Sequence, residues 1–370
     1  MRSMPLKVCL VSTEILGWGL AGGFGFATRS LGRELARRGV DVHVVVPRPR
    51  ETDGPGALLD RIRVHAYARG DLVSCRRLLV ACDADVYHTQ EPNLGTWIAA
   101  RALPDRLHVV TARDPRSWSD WATEFRYPTY TRIQVVKTAL YYENPLTRAG
   151  VRRARAVFVP ARCLSPRVQH KYGLSRAPAF LPTPVHMPAA VHKSAVPTVC
   201  FVGRLDRRKR PDAFLELARN FPHVRFLIAG RSQHARHGSA LEAACRRLPN
   251  VTSAGFIDQF ESDGLSRMLG ESWILVNTSA REGLPNAFIE ACAHRCAILS
   301  AVDPDGFASR FGAHVPDRDF RRGLQELLDG ERWRERGEAG YRYAVRTNEA
   351  GAAAAEHLAM YDRFLRGEPA

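Results

Sequence analysis

Thr278-Ser279-Ala280-Arg281-Glu282-Gly283-Leu284-Pro285-Asn286-Ala287-Phe288-Ile289-Glu290 sets two carboxylates eight positions apart across a strand-to-helix turn. Residues 273–276, Trp-Ile-Leu-Val, form a short apolar run suited to a buried parallel strand. Pro285 suits the first turn of a helix, where its missing N–H costs nothing. Glu282 then falls in the loop beyond the strand's carboxyl end, and Glu290 in the second helical turn. In an open α/β sheet, ligands bind on that loop face. The helix start adds free N–H groups and a positive dipole end, which suit a phosphate. A carboxylate beside a phosphate is costly unless it accepts hydrogen bonds, and sugar hydroxyls are good donors. The run therefore predicts a ligand that is part sugar and part phosphate.

Strand-like and helical patterns alternate on both sides of this run. In the first half, residues 8–11, 42–46, 62–67, 86–88, 109–111 and 156–159 read as strands, and 24–38 as a helix stopped by Gly39. Residues 180–197 break the pattern with Pro182, Pro184, Pro188 and Pro197, and read as a linker. A second series follows, with strands at 198–202, 224–229, 251–253, 273–276 and 297–300, and a helix at 211–219. The expected architecture is α/β: two Rossmann-like domains whose parallel sheets face a central cleft. The boundaries are 1–180 for the first domain, 181–197 for the linker, 198–348 for the second domain and 349–370 for a terminal helix.

Bulk composition narrows the function. The 370 residues carry 54 Lys plus Arg against 38 Asp plus Glu, a net charge of +16, which fits anionic ligands, acidic lipid or nucleic acid. The charge is dispersed, and no long basic run marks a nucleic-acid tail. The eight cysteines form no C-x-x-C pair, and Cys292 and Cys296 gain no histidine partners at zinc spacing. The expectation is a reduced, cytoplasmic protein with no metal site. The N-terminal apolar run is too short for a signal peptide, and no stretch of about 18 apolar residues predicts a membrane span.

Other motifs refine this. Gly17, Gly19 and Gly22 satisfy G-x-G-x-x-G, with Asp41 downstream, which on paper is a nicotinamide-dinucleotide fingerprint. Residues 12–16 separate it from the strand, so Gly22-Gly23-Phe24-Gly25 reads better as a helix entry whose N–H groups approach an anion. Arg204 and Lys209 follow the first strand of the second series, just before Pro211 opens a helix, and two cations with a helix dipole suit a diphosphate. His88, Arg113 and Asp114 end strands of the first series and are read as cleft-facing. Residues 125–155 mix Tyr127, Tyr130, Tyr141 and Tyr142 with Arg126, Arg132, Lys137, Arg148, Arg152 and Arg153. That mixture predicts a partly buried helix pair with a basic outer face, a peripheral contact with an anionic membrane being the second reading.

Taken together, the motifs resemble the retaining, nucleotide-sugar-dependent GT-B glycosyltransferases of family 4 (glycosyl transferase group 1) over nearly the whole chain. Gly22-Gly23-Phe24-Gly25 resembles the family's glycine loop, Gly203-Arg204-Leu205 through Lys209 its G-R-L…K element, and Glu282 to Glu290 its E-x(7)-E signature. The resemblance implies that the second domain binds a nucleoside-diphosphate sugar, UDP-hexose before GDP-mannose, and the first domain the acceptor. Arg204 and Lys209 would hold the diphosphate and Glu290 the ribose. Glu282 would face the donor sugar, with N–H groups of Gly283, Leu284 and Asn286 nearby and Pro285 between them. Gly23 would let the first domain close on the donor, and the terminal helix would cross back to it. No cofactor and no metal are implied, the nucleotide-sugar being a co-substrate. Catalytic roles fall to Glu282, Arg204, Lys209 and Asp114, and acceptor-side roles to His88, Arg113 and Asp114.

Two positions depart from the family. Arg113-Asp114 stands where many members have a histidine, and Arg295 where glycine is usual, which predicts a different turn after the Glu290 helix. The acceptor stays open among a glycan, a lipid-linked sugar and a small molecule. The competing readings are a nicotinamide-dependent oxidoreductase and a basic nucleic-acid-binding protein; a nucleic-acid partner is not expected under the main reading.

Overall fold

The computed structural model describes residues 5–18, 22–48, 56–129 and 131–369. The chain forms two compact units: Met1–Pro115 with Lys137–Pro184 and Ala350–Ala370, and Arg116–Val136 with Val185–Glu349.

The first unit is built on eight strands: β1 (Lys7–Val11), β2 (Asp41–Pro47), β3 (Gly56–Leu59), β4 (Ile62–Tyr67), β5 (Val86–Thr89), β6 (Leu107–Thr111), β7 (Ala156–Val159) and β8 (Ala179–Phe180). Their order is β3-β4-β2-β1-β5-β6-β7-β8, parallel throughout except for the antiparallel β3–β4 pair. Side chains alternate between faces, so both faces need cover. Val8, Leu10, Val42 and Val44 pack with Leu31 and Leu35 of the helix Gly23–Arg37 and with Met360 and Phe364 of the helix Ala350–Leu365. Cys9, Val11 and Val45 face the other way, onto Cys75, Leu79 and Cys82 of the helix Leu72–Cys82.

The second unit holds β9 (Thr198–Val202), β10 (Arg225–Ala229), β11 (Val251–Gly255), β12 (Ile274–Asn277), β13 (Ala297–Ser300) and β14 (Gly312–His314). Their order is β11-β10-β9-β12-β13-β14, all parallel. The sheet grows outward in one direction through β10 and β11, then restarts on the other side of β9 with β12. That reversal makes the carboxyl ends of β9 and β12 the switch point, where an open sheet leaves a crevice.

Residues 116–136 fall outside the first-domain range assigned from sequence. The helix Trp118–Arg126 clusters with the second unit because Asp120 and Glu124 pair with arginines there: Arg281 Nε lies 3.1 Å from Asp120, and Arg208 Nη1 2.9 Å from Glu124. The proline-rich segment divides at Pro184 and Val185 between the two units. Among the described residues no helix is long and apolar enough to cross a membrane.

Candidate functional site

The loop after β9 is shaped by backbone approach. Gly203 takes φ 154° and Gly230 φ 146°, and a Cβ on Gly230 would stand 1.8 Å from the Gly203 carbonyl oxygen. Glycine at 230 is therefore obligatory for the two strand ends to run on side by side. The Leu205 N–H donates to the Arg231 carbonyl at 3.0 Å, and a short turn at Arg207–Lys209 closes with Lys209 N–H on the Asp206 carbonyl at 2.9 Å. Arg210 then takes φ 50° and Pro211 opens the next helix. Arg204 Nε lies 3.1 Å from Asp206, and its side chain keeps 30% exposure, so the guanidinium still reaches solvent.

The loop after β12 is fastened to this one. The Thr278 hydroxyl lies 2.7 Å from the carbonyl oxygens of both Lys209 and Arg210, and the Ala280 N–H donates to the Arg208 carbonyl at 2.9 Å. The Lys209 ammonium is ion-paired with the Glu282 carboxylate. Burial pushes the Glu282 carboxyl up, but Lys209 and Arg208 outweigh it and hold the group below the usual glutamate range. Glu282 is thus a carboxylate at neutral pH. Arg208 and Arg281 are buried beneath the loops and share Glu124, which lies 2.9 and 3.1 Å from them. A cleft beside Asp206 and Arg207 is lined by Ser232 and His234, from the loop after β10, and by Thr129.

The helix after the loop spans Asn286–Ala293, with Pro285 as its N-cap rather than its first residue. Proline there still leaves the N–H groups of the first turn pointing outward. Glu290 is its fifth residue and 6% exposed, and its Oε1 has no hydrogen-bond partner. Gln259 is its side-chain contact, and burial lifts its carboxyl from 4.5 to about 7. A buried, unpaired carboxylate oxygen is costly unless a ligand donor completes it. His294, one turn on, donates its Nδ1–H to the Glu290 carbonyl at 2.7 Å and so stiffens the helix end.

The turn after this helix passes through Arg295. It takes φ 56°, the left-handed conformation a glycine adopts without strain, while its guanidinium lies 3.9 Å over the Tyr341 ring and pairs with Glu338.

In the first unit the placements differ from the sequence reading. His88 is fully buried, with Nδ1 2.6 Å from the Tyr361 hydroxyl and Nε2 2.8 Å from the Thr111 hydroxyl. Burial, with His357 and Arg113 nearby, pulls its pKa well down, so it is a neutral interior group rather than a cleft-facing one. Arg113 turns inward too, donating to Gln90 at 2.7 Å and Thr183 at 2.8 Å. Strand-end residues alternate like any others, and these two point into the interior. Asp114 is half-buried, and the N–H groups of Arg113 and Asp114 donate to Glu91 at 2.6 and 3.1 Å.

The helix entry at Gly22–Gly25 carries a residue that sequence reasoning missed. Glu14 Oε1 accepts the Gly25 N–H at 3.0 Å, and a Cβ on Gly22 would lie 2.2 Å from that oxygen. The expected anion-facing N–H at Gly25 is thus already met by the chain's own carboxylate; Gly23 begins the helix itself. Of the dinucleotide fingerprint, Gly19 lies outside the described residues, and β1 ends at Val11, well before Gly17. Tyr130 also lies outside the described residues. The helix Arg132–Tyr142 buries no residue, and its exposed face is apolar rather than purely basic, with Ile133, Val136 and Leu140 on it.

Two family models match the chain: a glycosyl transferase 4-like domain over residues 22–183, and glycosyl transferases group 1 over residues 196–329. A glycogen synthase of Anaeromyxobacter dehalogenans (strain 2CP-C) is 33% identical over 89 residues, 24% of this chain and only 18% of that protein's length. Sucrose-phosphate synthase from Thermosynechococcus elongatus matches with a TM-score of 0.75 at 18% identity, over 98% of this chain and 100% of the other. HepE from Anabaena, in complex with UDP and glucose, matches with a TM-score of 0.70 at 12% identity, over 96% of this chain and 99% of the other. With its two halves matched in order and its fold shared with GT-B enzymes, the chain belongs to the group 1 glycosyltransferases, of the family 4 type.

Proposed function

We propose that this glycosyltransferase moves a hexosyl group from a UDP-sugar to a hydroxyl acceptor with retention of configuration and without a metal ion at the transfer site. The observation that carries the reading is the Glu290 carboxylate. It is buried, its Oε1 lacks a partner, and it stands in the helix that leaves the β12 end of the switch point. Ribose hydroxyls supply the missing donors. HepE, in complexes with UDP and glucose and with UDP-glucose, supports UDP over GDP as the nucleotide.

In this reading Arg204 and Lys209 receive the diphosphate, with N–H groups of the 283–286 turn beside it. As the bond from the sugar's anomeric carbon to the diphosphate oxygen breaks, negative charge grows on that oxygen. The two cations oppose it; each such preorganised donor is typically worth about 3 kcal/mol. Glu282, held ionised by Lys209, is a poor proton acceptor and serves as an acceptor of hydrogen bonds from the donor sugar. The acceptor oxygen attacks from the face the diphosphate leaves, and its proton passes to the departing phosphate oxygen. Asp114 is the acceptor-side contact among the strand-end residues of the first unit. The exposed Ile133, Val136 and Leu140, with Arg132 before them and Lys137 among them, favour a lipid-linked acceptor at an anionic membrane surface over a free glycan.

A thermal-shift panel of UDP, GDP, ADP, NAD and a short oligonucleotide tests the donor. A ligand at a hundred times its Kd adds about 2.7 kcal/mol of stability. UDP should raise Tm most, with the shift retained in EDTA. Stabilisation by NAD or the oligonucleotide alone would sink the reading.

A further inference from the structure

In the first unit, four sulfur and imidazole groups meet from four different elements. β1 and β2 pair Cys9 with His43, and β2 and β4 pair Val45 with His65. Cys9, His43 and His65 therefore share the sheet face that the helix Leu72–Cys82 covers. The last residue of that helix, Cys82, drops its thiol between them, in hydrogen-bonding contact with Cys9, His43 and His65. His43 Nδ1 lies 2.9 Å from His65 Nε2, the two rings stacked at 5.0 Å. The ligand atoms of His43, His65 and Cys82 all lie within 4.8 Å of one another. In a tetrahedral zinc site with Zn–N near 2.0 Å and Zn–S near 2.3 Å, ligand atoms stand roughly 3.3–3.8 Å apart. These three approach that spacing; Cys9, in contact with Cys82, lies outside the set and would swing its thiol inward to complete it.

We propose that His43, His65 and Cys82, with Cys9 as fourth ligand, form a structural site for a thiophilic divalent cation of the zinc type. Two thiolates and two neutral imidazoles would cancel the ion's charge, which a buried site requires. Binding would displace the two thiol protons to solvent, and the histidines would bind through lone pairs. The outer shell suits this. The second nitrogen of His43, Nε2, lies 3.4 Å from Asp41 and 3.3 Å from Arg63, which are ion-paired with each other, so this pair orients the ligating ring. The cysteines and histidines lie at positions 9, 43, 65 and 82, a spacing no linear zinc pattern covers. The site lies in the first unit, apart from the Lys209–Glu282 loops, and stands whether or not the donor is a UDP-sugar.

The test is metal content of the full-length protein, purified without an affinity tag that binds metal and dialysed against zinc. About one equivalent of zinc is expected, reduced at least fivefold in Cys82→Ser and His65→Ala. Cobalt added to the metal-stripped wild-type protein should give thiolate charge-transfer absorbance in the near ultraviolet, which keeps the test open if a variant misfolds. No retained zinc and no charge-transfer band in the wild-type protein, or equal uptake by folded Cys82→Ser, would overturn the proposal.

Discussion

The Lys209 ammonium and the Glu282 carboxylate, 73 positions apart in sequence, form one partly buried ion pair at the β9–β12 switch point. Removing one partner leaves the other charge uncompensated, which costs about 3–5 kcal/mol in a fully buried pair and less in a partly exposed one. Lys209→Met and Glu282→Gln should each lower stability, whereas the double variant should recover most of the loss. Transfer should stay impaired in all three. Denaturant unfolding beside initial rates checks this, and additive destabilisation in the double variant would contradict the pairing.

Glu290 makes stability and donor binding depend on pH. Its folded pKa of about 7 lies above the ordinary 4.5. The folded state holds the proton more tightly, so stability falls as pH rises from about 4.5 through 7, by roughly 3 kcal/mol in all. Glu290→Gln should remove that fall and be the more stable protein at pH 8, while binding UDP more weakly. A thermal-melt series from pH 5 to 8 on both proteins reads it out; parallel curves would reject the buried-carboxyl assignment.

The same shift predicts proton release on binding. At pH 6 the free carboxyl is mostly protonated, and ribose hydroxyls donate to the ionised form. UDP binding should therefore release close to one proton at pH 6 and almost none at pH 8.5. Calorimetry in two buffers of different ionisation enthalpy measures it. Equal enthalpies in both buffers at pH 6 would be the contrary outcome.

Arg295 carries left-handed strain that its contacts offset in part. A non-glycine residue in that region costs roughly 1–2 kcal/mol. Arg295→Gly should stay within about 1 kcal/mol of the parent, since relief offsets the lost stacking on Tyr341 and the half-exposed pair with Glu338. Arg295→Val, branched at Cβ, should be the worse of the two by 1 kcal/mol or more. Urea unfolding midpoints decide between them.

The His88–Tyr361 contact fastens the terminal helix within the first unit. Tyr361→Phe leaves the His88 ring nitrogen buried without that partner and should cost about 1–3 kcal/mol. Hydrogen exchange should rise over the helix Ala350–Leu365, and unchanged protection there would argue against the anchor.

Much was legible in sequence because it is local. Apolar runs of four or five residues mark the principal parallel strands, and Arg204, Lys209, Glu282 and Glu290 each sit within a few residues of such a run or in the helix that follows it. Propensity and turn chemistry act over that range. The helix Arg332–Asn348 escaped notice because its buried stripe, Trp333, Gly337, Gly340 and Ala344, is mostly small residues amid charge. Gly337 is small for a tertiary reason: a Cβ there would meet the Arg295 carbonyl at 2.3 Å.

Sequence alone thus determined two β-α series, the cationic loop and the paired glutamates, since strand runs and strand-to-helix turns are written within a dozen residues. Strand order decided the rest. Placing β12 beside β9 joined Lys209 to Glu282 and made that junction the switch point. Burial left the Glu290 carboxyl half-satisfied, and turned His88 and Arg113 inward. Packing of the helix Leu72–Cys82 on the sheet brought Cys82 to His43 and His65. None of these follows from spacing along the chain, because burial and charge pairing depend on which distant strands become neighbours.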